Sequence, residues 1–215
     1  ALLFAVGDTD SGYGGGRLVA LDPATGLVST SPEVTASYNT LAALDVADCD
    51  GDAVDEALFA TLSLTVYDFA RSVSEWASPA DVGLGAAVTH ADLNGDGFPD
   101  AVTMGSYGEL WVHDPKAQVL LWKSAALGGY GVDAAVADVD GDGDPEIVAA
   151  TTTRVVVLGK GDPSGFVEEA SAPLADVGDL LVAAFPGDAH PRILVLQKPY
   201  SGAATLLHLD GALSP

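Results

Sequence analysis

Three acidic loops recur along this chain at nearly constant spacing, and that recurrence restricts its fold more than any other feature. They read ADCDGDAVDEALFA, ADLNGDGFPDAVTM and ADVDGDGDPEIVAA. Their first acids, Asp48, Asp92 and Asp138, stand 44 and 46 residues apart. A fixed period of this size marks a repeat architecture, in which each copy is one supersecondary unit stacked on the next.

The loops themselves point to a divalent cation. Hard oxygen ligands at alternating positions can wrap one Ca²⁺ in a tight turn at about 2.3–2.6 Å, and the carboxylates then no longer repel one another. In the third loop Asp138, Asp140 and Asp142 take positions 1, 3 and 5, the Asp144 carbonyl position 7, and Glu146 closes at position 9. The first loop offers Asp48, Asp50, Asp52, the Val54 carbonyl and Glu56, and the second Asp92, Asn94, Asp96, the Phe98 carbonyl and Asp100. An EF-hand loop closes at position 12 and runs into a helix. Here the closing acid comes earlier and is followed by apolar, often β-branched runs such as EIVAATTTRVVVLG, so the expectation is a strand–loop–strand calcium site. One further period lands on VAAFPGDAHPRILVL, where Ala184, Pro186 and Arg192 replace the first, second and closing acids. This fourth copy is expected to keep the fold and to have lost the metal.

Each period also carries four short strands: one into the acidic loop, one out of it, a third after a tight turn, and a less regular fourth. Four strands per roughly 40–50 residues describe a β-propeller blade. The fold expected is therefore all-β, a propeller of four-stranded antiparallel blades of about 45 residues. The approximate blades are 1–36 (incomplete), 37–81, 82–127, 128–174 and 175–215 (incomplete), within one partial propeller domain spanning 1–215. Eighteen strands fall short of the roughly twenty of a closed five-blade ring. The chain is thus expected to be part of a longer one, and a small closed ring with imperfect end blades is the other reading. The opening ALLFAV reads as a strand, not as a secretory signal.

These loops and their following strands resemble FG-GAP/VCBS repeats, the calcium-bearing blades of integrin alpha subunits and many bacterial surface proteins. The Phe-Gly…Gly-Ala-Pro signature is not reproduced, so the likeness is to the broader bacterial group. The resemblance implies structural calcium, up to three ions, and a propeller used as a recognition surface.

Formal charge is −23, from 31 acids against 8 bases, and three Ca²⁺ would bring it only to −17. Phosphate recognition needs clustered Lys and Arg, so nucleic acid and anionic membrane surfaces are disfavoured. No apolar run approaches the length of a membrane-spanning helix. Micromolar to millimolar calcium affinity fits an extracellular, cell-surface or periplasmic location. Cys49 is the only thiol, so no internal disulfide can form. It is read as a small filler in its turn, with an intermolecular bridge as the other reading.

In an antiparallel blade the first and third turns emerge on one face, and the second turn and the link to the next blade on the other. The calcium loops are first turns. The opposite face then carries Tyr13, Tyr38, Tyr107, Tyr130 and Tyr200, five of the six tyrosines. Tyrosine gives a large, rigid, amphipathic contact, so this face is the candidate surface for a protein or glycan partner; coverage of the blade tops is the competing role.

Catalytic motifs are weak. GYGGG at 12–16 has no following helix to make a phosphate cradle, DTDSG at 8–12 lacks the rest of an aspartic-protease turn, and His90, His113, His190 and His208 show no ligand spacing. Trp76, Trp111 and Trp122 are expected to pack in strands. Two classes follow: a non-catalytic, calcium-stabilised interaction module of a larger surface assembly, or a lectin or propeller enzyme such as a polysaccharide lyase or quinoprotein.

Overall fold

The computed structural model describes residues 2–7, 16–32, 43–79, 85–161 and 165–214. Among these residues there are eighteen β-strands and no helix. The first sheet holds β1 (Leu2–Gly7), β2 (Gly16–Leu21) and β3 (Val28–Thr30). The second holds β4 (Ala43–Ala47), β5 (Glu56–Ala60), β6 (Leu64–Asp68) and β7 (Val73–Ala77), and the third β8 (Gly85–Ala91), β9 (Asp100–Gly105), β10 (Leu110–Asp114) and β11 (Val119–Lys123). The fourth is β12 (Gly131–Ala137), β13 (Glu146–Thr151), β14 (Arg154–Lys160) and β15 (Phe166–Pro173), and the fifth β16 (Val177–Ala183), β17 (Arg192–Gln197) and β18 (Thr205–Leu209). Every sheet is an antiparallel meander in sequence order.

Successive sheets meet through their first strands: β4 lies beside β8, β8 beside β12, and β12 beside β16, with β1 more loosely beside β4. No comparable contact joins β16 back to β1 among the described residues. The arrangement is an open row of β-propeller blades.

Burial follows from this stacking. The second strands β5, β9 and β13 are buried at every position, because each has another blade against both faces. The period of two in a strand then divides its side chains between two cores. On β13, Ile147 and Ala149 pack with Val102, Met104 and Leu110 of the third sheet. The alternate residues Val148 and Ala150 pack with Val177, Ile193 and Val195 of the fifth. The fourth strands β7 and β11 are mostly exposed. Close approach of a first strand to the second strand of the preceding blade demands small residues: a Cβ on Gly131 of β12 would collide with the Gly105 carbonyl oxygen of β9.

The tryptophans pack as strand residues. Trp111 is buried, Trp76 meets His113 edge-on with ring centroids 5.8 Å apart, and Trp122 meets Phe166 in the same way at 5.2 Å. His90 on β8 hydrogen-bonds Asp45 on β4 at 2.7 Å, which ties two adjacent blades. GYGGG and DTDSG lie wholly or largely outside the described residues.

Candidate metal centre

Each acidic loop joins the first strand of its sheet to the second, and its closing acid is the first residue of that second strand: Glu56 opens β5, Asp100 β9 and Glu146 β13. The loops share one internal hydrogen-bond scheme. The position-1 carboxylate accepts two backbone N–H groups, from Gly51 (2.7 Å) and Ala53 (3.0 Å) onto Asp48 in the first loop. Gly95 and Gly97 do the same for Asp92, and Gly141 and Gly143 for Asp138. The position-3 side chain accepts from the backbone of position 5, and the closing acid reaches back to the N–H of position 2: Cys49 to Glu56 at 2.9 Å, Leu93 to Asp100 at 2.8 Å, Val139 to Glu146 at 2.8 Å. Asx turns therefore pre-form the loop.

The scheme requires left-handed backbone at position 6. Gly97 and Gly143 supply it with φ of 89° and 98°, but the first loop uses Ala53 at φ 66°. A Cβ in that region costs about 1–2 kcal/mol. Ala53→Gly is accordingly expected to stabilise the fold by about 1 kcal/mol, a rise of about 2–4 °C in melting temperature by calorimetry.

The structure brings together some of the expected ligands and not others. Carboxylate oxygens of Asp48, Asp50 and Glu56 lie within 4.8 Å of one another, as do those of Asp138, Asp140 and Glu146. Asp52 and Asp142 are not in these groups. Asp52 is turned to Arg71 at 2.7 Å, and Asp142 accepts the N–H of Asp144. In the second loop the Asn94 amide nitrogen faces Asp100 (3.2 Å) and Asp114 (3.3 Å), while its oxygen accepts from Asp96. Val54, Phe98 and Asp144 each donate a backbone N–H to the position-5 carboxylate.

The donor set fits a hard cation. Glu56 is fully buried, and its Oε1 has no hydrogen-bond partner. A buried unpaired carboxylate oxygen is costly. Burial raises the Glu56 carboxyl from its ordinary value to about 7, with the charges of Asp50, Glu75 and Asp48 adding to the rise and the Cys49 N–H opposing it. Burial likewise raises Asp100 to about 6 and Glu146 to about 6. A divalent ion would supply the missing positive charge and partner. Cys49 is 1% exposed, and burial followed by the neighbouring acids pushes its thiol up to about 12. That makes it a packed filler rather than a thiol available for an intermolecular bridge.

The fourth copy has the opposite electrostatics. Arg192 opens β17 in place of the closing acid, and its guanidinium pairs with Asp188 at 3.1 Å. Its His190 has a different use. A Cβ on Gly141 would collide with the His190 ring, so the degenerate loop covers the third acidic loop. Phe98, at the same position of the second loop, covers Gly51 of the first in the same manner.

The opposite ends of the sheets carry three of the four described tyrosines; the fourth, Tyr67, is buried within β6. Tyr107, in the turn between β9 and β10, and Tyr130, in the link to β12, are each 65% exposed with ring centroids 6.4 Å apart. Backbone bonds hold this pair in place: Gly131 to the Ser106 oxygen (3.0 Å), Leu127 to that of Gly108 (2.9 Å) and Thr152 to that of Tyr130 (2.8 Å). Tyr200 follows β17 and is fully exposed. Tyr13 and Tyr38 lie outside the described residues.

Residues 92–149 match the family described as FG-GAP-like repeat, which spans the second loop, the third loop and the strands between them. No curated protein matches the sequence. Among solved structures the chain is similar to the V. cholerae biofilm matrix protein Bap1, at 18% identity and TM-score 0.58, over 100% of this chain and 38% of that one. It is also similar to BBS1N, solved in complex with ARL6DN, at 13% identity and TM-score 0.57, over 82% of this chain and 56% of that one. It thus spans less than two thirds of either chain, and at these identities the likeness is one of fold. Its repeated acidic loops, its meander sheets and the match over 92–149 give this chain an FG-GAP/VCBS-type β-rich repeat fold, set out as propeller blades.

Proposed function

We propose that this chain is a non-catalytic interaction module of an extracellular or cell-surface assembly, stiffened by calcium at one end of its blades and binding a protein or glycan partner at the other. The observation that carries the reading is the division of labour between the ends: acidic loops with a buried unpaired carboxylate oxygen on Glu56, against an exposed, backbone-anchored Tyr107–Tyr130 pair. Aromatic anchors that are rigid before binding lose little entropy on contact. The biofilm-matrix role named for Bap1 supports an extracellular setting. No helix is long and apolar enough to cross a membrane among the described residues. Calcium-dependent stiffening assigns Asp48, Asp50 and Glu56, and Asp138, Asp140 and Glu146, whose carboxylate oxygens converge, to ion binding, with Asp92, Asn94 and Asp100 at the same positions of the second loop.

A glycan array and a pull-down against extracellular matrix from the native source would identify the ligand. With that ligand as probe, replacing Tyr107 and Tyr130 together by Ala is expected to weaken binding about thirtyfold or more, the size of a hot-spot loss. The melting temperature should move by no more than about 2 °C, because both rings are mostly exposed. Intact binding with a large fall in stability would instead make these rings cover for the blade tops.

A further inference from the structure

Beside each acidic loop lies a cleft between the outer strands of its own sheet and the turn after the third strand of the next. The first is lined by Asp50, Val66, Glu75, Trp76 and Lys116. The second presents Asn94, Val112, Leu121 and Trp122 in the same places. The third presents Asp140, Glu169, Ala170 and Gly211. The three clefts are repeat-equivalent, and one of the positions at which they differ is the residue before the Trp76, Trp122 or Ala170 position: Glu75, Leu121 and Glu169.

That position is a β-bulge in the fourth strand. Val66 pairs with Trp76 and Tyr67 with Ser74, so Glu75 is the extra residue. Val112 pairs with Trp122 and His113 with Leu120, leaving Leu121 extra. Val157 pairs with Ala170 and Leu158 with Glu168, leaving Glu169 extra. A bulge re-aims the side chain it carries, here into the cleft beside the loop. In the fourth sheet the space for it is cleared: a Cβ on Gly159 would collide with the Glu169 carboxylate, where the first two full blades have Asp68 and Asp114.

The loops beside these glutamates are short of one ligand. Four side-chain carboxylates are expected in each, yet only three converge, because Asp52 is paired with Arg71 and Asp142 stands apart. Arg71 also reaches Glu75 (3.5 Å) and Asp68 (2.9 Å), so a positive charge already bridges the loop and the bulge. Independently of the acid count, the fully buried Glu56 offers its unpartnered Oε1 at this site.

We infer that Glu75 and Glu169 each lend a further oxygen, from the outermost strand of the blade, to the cation held by Asp48, Asp50 and Glu56 and by Asp138, Asp140 and Glu146. This rests on the calcium reading above. The second loop lacks the contribution, with Leu121 for the glutamate and Asn94 for the position-3 acid, and so binds calcium more weakly than the other two.

Calcium titration by calorimetry of the 215-residue chain tests this. Glu75→Gln and Glu169→Gln are each expected to weaken one site about 10–100-fold, the usual loss for a supporting ligand. Leu121→Glu, at an already half-exposed position, is expected to tighten the weak site. In chelator, both Gln variants should melt no lower than the parent, because a like charge has gone. Unchanged titrations in all three variants, or a melting loss equal with and without calcium, would overturn the inference while leaving the loops as calcium sites. Should Glu75→Gln not fold, Leu121→Glu decides by itself. Failure of the unaltered chain to take up calcium would overturn both this inference and the calcium reading.

Discussion

Chelation of calcium is expected to lower the melting temperature of this protein by about 15–30 °C. An ion that binds only the folded state stabilises it by about 2.7 kcal/mol when held 100-fold above its dissociation constant. Three such sites give about 8 kcal/mol, and a chain of this length shifts by about 2–4 °C per kcal/mol. The effect is large because the acids are set for an ion that the chain itself replaces poorly. Glu56, Asp100 and Glu146 are buried at the mouths of their second strands, and the guanidinium of Arg71, beside the first loop, is spread over three acids. Scanning calorimetry with and without EDTA measures it. Superimposable melts would remove calcium from the stability of the fold.

Glu56→Gln is expected to change stability in opposite directions with and without calcium. In the metal-free chain the folded state holds the Glu56 proton to about pH 7, against an ordinary value of 4.5. The folded state therefore binds more protons than the unfolded one. Its contribution is fully present below about pH 4.5 and is lost as pH rises through about 7. Above that, ionised Glu56 costs on the order of 3 kcal/mol, at about 1.4 kcal/mol per unit. Gln, which cannot ionise, recovers part of that cost and raises the melting temperature in EDTA at pH 8 by several degrees. In saturating calcium the same variant melts lower than the parent, because a charged ligand is missing. Asp100 and Glu146, each raised to about 6 by burial, add to the same pH trend in the metal-free parent. Melts in EDTA at pH 5 and pH 8 give the sign directly; a metal-free parent that gains stability on going to pH 8 would refute it.

Much of the architecture was legible because its causes are local. Alternating acids and glycines specify an Asx-turn loop, and the alternating apolar runs on either side specify strands, so the grouping of strands into sheets follows from the period. Arg192 was likewise readable as a reversal of charge at the closing position of the fourth loop, where it pairs with Asp188. The place of Cys49 is also written in the repeats: the same position in the other loops is Leu93 and Val139, both buried, so the copies report a core site. What the chain did not disclose depends on register and on contacts between blades. The bulges that turn Glu75 and Glu169 toward their loops arise from a one-residue mismatch between third and fourth strands, which no hydrophobic pattern records. The diversion of Asp52 to Arg71 joins residues 19 apart on different turns. Tyr107 and Tyr130 come together across a blade boundary, where backbone bonds fix the link. His190 over Gly141 similarly needs the neighbouring copy before it has a meaning.

Strand β13 sends its odd-numbered residues into one core and its even-numbered ones into another. Unfolding of a single blade therefore strips a wall from both neighbours at once, so damage should spread along the row from unit to unit instead of staying where it began. Force applied at the two ends would then be resisted as by a chain of interlocked links, and would be released in steps the size of one sheet.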